Sequence, residues 1–270
     1  MLVEATGSLE LLAAITVSFA IIAAVYSIAG FGGGSSYLAM LVLAGLPYAL
    51  VPRIALACNI TVVSVSCYVA WRQDLLWWRA IWPYVACSVP MAFLGGSIPI
   101  TRDLFLILLG LSLCAAGSRL LWSRSAESQA GLEDQGPGVP IAGARLFGIV
   151  TGAAIGFTSG LVGIGGGIFL SPVLHLTGRL PARQINAIAS LFILVNSVAG
   201  LFGQLSKQTG DFAMVSPLWT LTLCAAVFVG GQVGSRLGLR VFPAPVLRRV
   251  TAALVLFVGL RVTLGGFGFL

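Results

Sequence analysis

Residues 30–47 read GFGGGSSYLAMLVLAGLP, and this stretch decides how the chain folds. It interrupts an uncharged run that extends from Leu11 to Pro52. One helix cannot contain that run, because about 20 residues cross a bilayer core of about 30 Å and the run is roughly twice that long. The glycine cluster therefore divides it into a helix-length segment, Leu11–Ala29, and a short segment, Ser35–Leu46.

The composition indicates an integral membrane protein. Hydrophobic residues make up 58% of the 270 residues and charged residues only 9%, whereas a soluble domain carries about 25% charged residues. The net charge of +7 comes from basic residues at the ends of apolar runs, as in membrane helices, and not from a basic stripe. We therefore expect the lipid bilayer as a partner and no nucleic acid.

A second glycine cluster, GIGGG at residues 163–167, repeats the pattern. The triple glycine at 32–34 corresponds to that at 165–167, and Asp74 corresponds to Asp211 with nearly the same offset. A slow drift of the offset is expected when small insertions accumulate between two copies of a repeat. Each copy has a long segment, a glycine break, a short segment and three further apolar spans.

These patterns predict the domain organisation. We expect an all-α polytopic membrane protein made of two repeats of five hydrophobic segments, with glycine-broken helices. The N-terminal transmembrane repeat covers residues 1–122 and the C-terminal repeat covers residues 146–270. Residues 123–145 are polar and rich in Gly and Pro near their end, so they form a solvent-exposed linker.

The distribution of basic residues predicts that the repeats are inverted. If each half crosses the membrane an odd number of times from an outer N-terminus, eleven basic residues face the cytoplasm and four face outward. If the short segment re-enters, each half crosses four times. With the N-terminus inside, seven basic residues then face the cytoplasm and eight face outward. Basic residues favour the cytoplasmic side, so we expect odd crossings and a cytoplasmic linker. The first two segments of each half either both span or form a re-entrant hairpin.

Paired glycine breaks at corresponding positions are typical of a transporter site. Glycine lets backbone N–H groups approach a ligand, and the helix after each break adds unpaired N–H groups and a partial positive charge. The breaks can thus bind an anion without Lys or Arg. Close helix packing is the alternative role for any single glycine. The candidate substrate-binding residues are Gly32, Gly33, Gly34, Ser35, Ser36, Asn59, Gly165, Gly166, Gly167, Ser190 and Asn196.

Two further residues are candidates for the pathway and its mouth. Arg53 borders an apolar span on the expected outer side, where it either attracts an anion or extends to the interface as an ordinary membrane arginine. Asn186 shares a helix face with Ser190 and Ser197, since they are spaced four and seven residues apart. Such a stripe lines a path or joins helices by hydrogen bonds.

The stretch at 30–47 and the stretch GFTSGLVGIGGGIFLSPVLHLTGRLPA at 156–182 resemble the two signature regions of the sulfite exporter TauE/SafE family of membrane permeases. The shared pattern is a glycine cluster, a short apolar run, a Gly-x-x-Pro-like turn and a span dotted with polar residues. One departure is ACNIT at residues 57–61, where many members have a Gly-Thr-Ser-like stretch. The resemblance covers nearly the whole chain. It implies movement of sulfite, sulfonates and related sulfur-containing anions across bacterial inner membranes.

We therefore expect a secondary transporter for a small anion, namely sulfite, another sulfur oxyanion or an organosulfonate, that works by alternating access. Coupling to H+ or Na+ is expected because the sequence has no P-loop. A permease for another solute, such as a carboxylate, is the alternative. An enzyme is least favoured, since the sequence has no metal cluster and no nucleophile–base pair, and we expect no cofactor. A homo-oligomer is left open.

Overall fold

The computed structural model describes residues 2–28, 32–122, 144–177, 180–207 and 217–241, and parts of 256–264. Within these ranges the chain is helical and has no strand. The predicted linker lies outside them except for its last two residues. The helices, in chain order, are α1 (Leu2–Ile28), α2 (Gly34–Leu43), α3 (Val51–Arg72), α4 (Trp78–Ser97), α5 (Arg102–Trp122), α6 (Ala144–Val162), α7 (Gly167–Thr177), α8 (Ala182–Ser206) and α9 (Pro217–Val241).

The helices follow the apolar segments, and the expectation of an all-α membrane protein is confirmed. α1 starts at Leu2 and not at the beginning of the apolar run at Leu11. α2 has only 10 residues and is about 15 Å long. Four helical segments in the described part are long and apolar enough to cross a membrane: Glu10–Ser27, Val51–Arg72, Arg145–Val162 and Arg183–Ser206.

The buried side chains form two separate clusters. One cluster is built from α1, α2, α3, α5 and α9, with Val262 and two residues near the second glycine break. The other is built from α4, α6, α7 and α8. Each cluster therefore joins the first three helices of one half of the chain to the fourth helix of the other half. We call them the first bundle and the second bundle.

Glycines make the exchanged helix contacts close. Along α6 they recur every fourth residue, and a methyl group at Gly152 or Gly160 would overlap the main chain of Tyr84 or Ala92 in α4. The residue numbers rise together along both helices, so α4 and α6 run parallel. Membrane helices use small residues in this way because nothing but close packing and hydrogen bonds draws them together.

The main contact between the two bundles joins α3 to α8. Leu56, near the start of α3, lies 3.6 Å from the position that a Cβ atom on Gly200, near the end of α8, would take. One turn further in, Asn59 of α3 and Ser197 of α8 both lie beside Gly165. The numbers rise along one helix while they fall along the other. The third helices of the two halves therefore run antiparallel.

Gly230 and Gly231 are neighbours in α9 and provide a matched pair of substitutions. A Cβ atom on Gly230 would overlap the main chain of Ala20 in α1, whereas one on Gly231 would make ordinary contacts with Val62 at 3.6 and 3.9 Å. We expect Gly230→Ala to lower the thermal midpoint in detergent, since overpacking costs about 1–3 kcal/mol. Gly231→Ala should leave it unchanged or raise it, because Ala favours helix. Equal effects would contradict this packing.

Candidate functional site

The two glycine breaks have the same backbone geometry where the short helices begin. Gly33 and Gly166 adopt left-handed φ angles of +73° and +80°, which glycine reaches without strain. Each carbonyl accepts hydrogen bonds from the N–H groups three and four residues further on, at 3.0–3.2 Å. The predicted correspondence of these two glycines therefore holds at the level of individual hydrogen bonds.

Both breaks are enclosed by protein. Every described residue from Gly32 to Ala39 is buried, and so is every residue from Leu161 to Gly167. Backbone that leaves the helix at membrane depth is tolerated only when protein or water surrounds it, because lipid offers no hydrogen bonds. The burial of both breaks meets this requirement, and all six predicted site glycines lie in this interior.

Asn59, in α3, contacts both breaks. Its side chain is fully buried, and its Nδ2 donates a hydrogen bond to the carbonyl oxygen of Ile164 at 3.1 Å. On the other side, its Oδ1 lies 2.6 Å from the position that a Cβ atom on Gly32 would take. A methyl group at Gly34 would also collide with the Asn59 amide. One amide thus links two segments that are far apart in the sequence.

Buried polar atoms without hydrogen-bond partners gather around the breaks. Tyr37 Oη lies 3.2 Å from the Cβ position of Gly33, and Ser197 Oγ lies 2.9 Å from that of Gly165. Most buried polar groups in proteins are paired, so each exception requires an explanation such as a ligand or a water molecule. In or next to the breaks these atoms are Tyr37 Oη, Asn59 Oδ1, Ser159 Oγ and Ser197 Oγ.

Asn196 is the counterpart of Asn59 in the second half. The two asparagines are separated along the chain by the same interval as Asp74 and Asp211, and both are fully buried on the third helix of their half. Asn196 Nδ2 donates to the carbonyl oxygen of Phe192 at 2.9 Å, and its Oδ1 has no partner. Both residues were predicted as site residues, but the common interval that relates them was missed.

The other predicted polar residues differ in how close they lie to the glycine breaks. Ser36 is buried beside the first break, next to Ser35, and its Oγ lies 2.9 Å from the hydroxyl of Tyr26. Ser190 donates to the carbonyl oxygen of Asn186 at 2.9 Å. Along α8 these two residues lie about 9 and 15 Å from Asn196. The structure therefore brings the two serines to the break but leaves Ser190 and Asn186 further along the helix.

Two cations come together at one end of the α3–α8 contact. Lys207, just after α8, donates to Gln204 Oε1 at 2.9 Å, and Gln204 Nε2 donates to the carbonyl oxygen of Gly160 at 2.9 Å. Burial, and then the charge of Arg53, lowers the pKa of Lys207 to about 8. Arg53 was predicted at the mouth, whereas Lys207 was missed, because nothing in the sequence brings residues 53 and 207 together.

This cationic end is adjacent to the second break. A Cβ atom on Gly163 would lie 2.7 Å from Cβ of Pro52, the neighbour of Arg53. Gly163 has a φ angle of +90° and follows the last turn of α6. The two basic side chains therefore stand at the border of the buried polar cluster and not at a remote surface.

Comparison with known proteins gives one consistent result. The family model described as "Sulfite exporter TauE/SafE" matches residues 15–262. A "Probable membrane transporter protein y4hK" of Sinorhizobium fredii is 32% identical over 248 residues, which cover 92% of this chain and 96% of that protein. A "Probable membrane transporter protein" of Xylella fastidiosa is 32% identical over 77% of this chain and 76% of its own length. No solved structure matches the chain.

Alanine substitution of Gly33, with Gly45 as the matched control, tests how tightly the first break is packed. Their φ angles are +73° and +74°, so replacement by Ala strains both backbones by a similar amount, about 1–2 kcal/mol. A Cβ atom on Gly33 would also press on Ile22 and Tyr37 at 3.1 and 3.2 Å, whereas one on Gly45 would meet nothing within 4 Å.

We expect Gly33→Ala to lower the free energy of unfolding in detergent by about 1 kcal/mol or more beyond the loss in Gly45→Ala. Both can be measured by reversible denaturation of the purified variants. An equal loss in the two variants would mean that the break is not tightly packed at Gly33.

Proposed function

Since this chain belongs to the sulfite exporter TauE/SafE family, we propose that it is a secondary transporter that moves a small sulfur-containing anion across the bacterial inner membrane. The chain is a multi-pass membrane protein of a transporter family and not an enzyme. The family description supports sulfite, a related oxyanion or an organosulfonate as the substrate class. The observation that carries the site is the cluster of unpartnered polar atoms at the two breaks.

The anion binds between the breaks, where α2 and α7 begin. The first N–H groups of a helix have no acceptor within it and carry a partial positive charge. The hydroxyl groups of Tyr37, Ser159 and Ser197 are buried at the same place and have no partner. They can donate hydrogen bonds to the oxygen atoms of the substrate. Neutral donors thus replace the water that a small anion loses on entering the protein.

The two bundles provide the moving parts for alternating access. Each bundle has its own buried core, and the α3–α8 contact between them borders both breaks. The antiparallel course of α3 and α8 supports inverted repeats, in which one half is turned over relative to the other. We infer that the bundles rock about this contact, with the N-terminus outside, the linker in the cytoplasm and a gradient of H+ or Na+ as the driving force.

Reconstituted protein tests this function directly. We expect saturable flux of sulfite, thiosulfate or sulfoacetate into liposomes, and less flux of a carboxylate control. Ser197→Ala should lower the flux roughly tenfold or more, because a hydrogen bond to a charged group contributes about 1.5–3 kcal/mol. Ser64→Ala is the matched control, since Ser64 is exposed and donates only to its own helix at Ile60.

Two results would reject the proposal. The wild type could carry none of the sulfur anions, which would remove the transport function. Alternatively, Ser197→Ala and Ser64→Ala could carry them equally well, which would remove the breaks from the substrate site. Both variants must be recovered folded in comparable amounts, as judged by gel filtration and thermal midpoint.

Lys207 gives the mouth a pH dependence. Its pKa is about 8, because burial and the charge of Arg53 disfavour the ammonium form. Lys207 is therefore charged below this pH and neutral above it, so its attraction for anions is lost as the pH rises. We expect the KM for an external sulfonate, whose own charge is constant, to rise severalfold between about pH 7 and about pH 9.

In right-side-out vesicles, the rise in KM should depend on the outer pH alone, because the proposed orientation places Lys207 outside. Lys207→Arg should abolish it, since a guanidinium group stays protonated throughout this range. A response to the inner pH would reverse the orientation, and an unchanged response in Lys207→Arg would assign the titration to another group.

A further inference from the structure

Two buried asparagine amides, one on the third helix of each half, present acceptors and not donors. Asn59 Nδ2 donates to the carbonyl oxygen of Ile164, and Asn196 Nδ2 donates to that of Phe192. These partners fix the direction in which each amide faces, because only its nitrogen can donate to a carbonyl oxygen. The two Oδ1 atoms are therefore the free ends, and both are buried without a hydrogen-bond partner.

Oδ1 of Asn59 faces the first break. It lies 2.6 Å from the Cβ position of Gly32, and Gly32 and Gly33 form the non-helical backbone that leads into α2. The hydroxyl group of Tyr37, also without a partner, lies 3.2 Å from the Cβ position of Gly33. An obligate acceptor and a hydroxyl group thus border the same two residues of backbone.

A fully deprotonated oxyanion does not match this arrangement. All its oxygen atoms accept hydrogen bonds, so it gains from N–H groups and hydroxyl groups but is repelled by the amide oxygen of Asn59. The amide oxygen would also stay buried and unpaired, which is unfavourable. An oxyanion that keeps one acidic proton matches it. Its O–H donates to Oδ1, while its other oxygen atoms accept from the start of α2 and from Tyr37.

A metal cation fits less well. Hard cations take about six oxygen ligands, and the two amide oxygens would supply a small share of them. Among the described residues, no group of three or more His, Cys, Asp or Glu side chains could hold a metal ion. A cation would therefore depend on neutral ligands for nearly all of its coordination.

We propose that the site selects an oxyanion that keeps one acidic proton, such as hydrogen sulfite, over sulfonates that carry none, and that Oδ1 of Asn59 accepts the hydrogen bond of this proton at the first break. The inference rests on the proposed anion transport and narrows its substrate class. The proton stays on the substrate throughout, so no bond is broken. Asn196 supplies the equivalent acceptor in the second half of the chain.

The protein has ionisable groups of its own near the first break, and the experiment must separate them from the ionisation of the substrate. Tyr26 of α1, Cys58 of α3 and Cys224 of α9 lie in the neighbourhood of Tyr37 of α2. A change in any of these groups, or in the two cations at the mouth, acts on every anion that enters. A ratio of two anions measured at the same pH therefore isolates the proton of the substrate.

The experiment compares sulfite with methanesulfonate in liposomes from about pH 6 to about pH 8.5, across the second ionisation of sulfite. At about pH 6, we expect kcat/KM for sulfite to exceed kcat/KM for methanesulfonate by about tenfold or more. The reason is that a site built to bind an O–H group rejects an analogue that lacks it. The ratio should then fall about tenfold per pH unit once the sulfite dianion predominates.

Two variants test the acceptors. Asn196→Leu removes one Oδ1 and leaves the bond between Asn59 and Ile164 intact, whereas Asn59→Leu removes the other Oδ1 together with that bond. Each variant should move the ratio of kcat/KM for sulfite to kcat/KM for methanesulfonate toward one, mainly because sulfite flux becomes slower. Thr222→Val is the isosteric control, because Thr222 lies outside the site and donates only to Leu218 of its own helix at 2.7 Å. It should preserve the ratio and its pH profile.

The outcomes separate the two proposals. A ratio that is independent of pH, or that neither variant alters, overturns the selection of a protonated anion and leaves anion transport standing. A ratio that follows the Na+ concentration at constant pH also overturns it and assigns the amide oxygens to a cation. The absence of flux for both anions overturns the proposed function itself.

Discussion

Backbone that leaves the helix inside a membrane must find its hydrogen bonds within the protein, and this requirement organises the centre of the molecule. At the end of α6, the carbonyl oxygen atoms of Gly160 and Leu161 accept from Gln204. Beyond Gly163, that of Ile164 accepts from Asn59. The second break is therefore held from both sides, by α8 and by α3. The contact between the bundles forms where these two helices meet it.

Glycine has two distinct roles in this structure. In the breaks it provides left-handed backbone, as at Gly33 and Gly166, and space for the Asn59 amide. Within α6 and α9 it lets a helix of one half touch the main chain of a helix of the other half. The second role makes each bundle a product of both halves, so neither half has a complete core without the other. Close packing is therefore the role of the glycines within α6 and α9, while ligand binding at the break glycines stays a prediction.

The local features of the fold and site could be predicted from the sequence, and the long-range ones could not. Glycine spacing predicted where α2 and α7 begin, because a backbone preference depends on the residue itself. The bond from Asn59 to Ile164 and the approach of Lys207 to Arg53 join residues that only folding brings together. The stripe of Asn186, Ser190 and Ser197 shows a further limit, since residues on one helix face can still lie far apart along its axis.

The distribution of charge follows from what a transport site must do. A fixed cation buried between the breaks would be unpaired whenever the site is empty, and burying an unpaired charge is costly. Neutral hydroxyl groups and helix N-termini, which the proposed site uses, avoid this cost. In the proposed transporter, Arg53 and Lys207 lie instead at the border of the site, from which their attraction for anions extends outward. On the proposed function, the two cations attract the anion, and neutral groups that donate or accept hydrogen bonds recognise it.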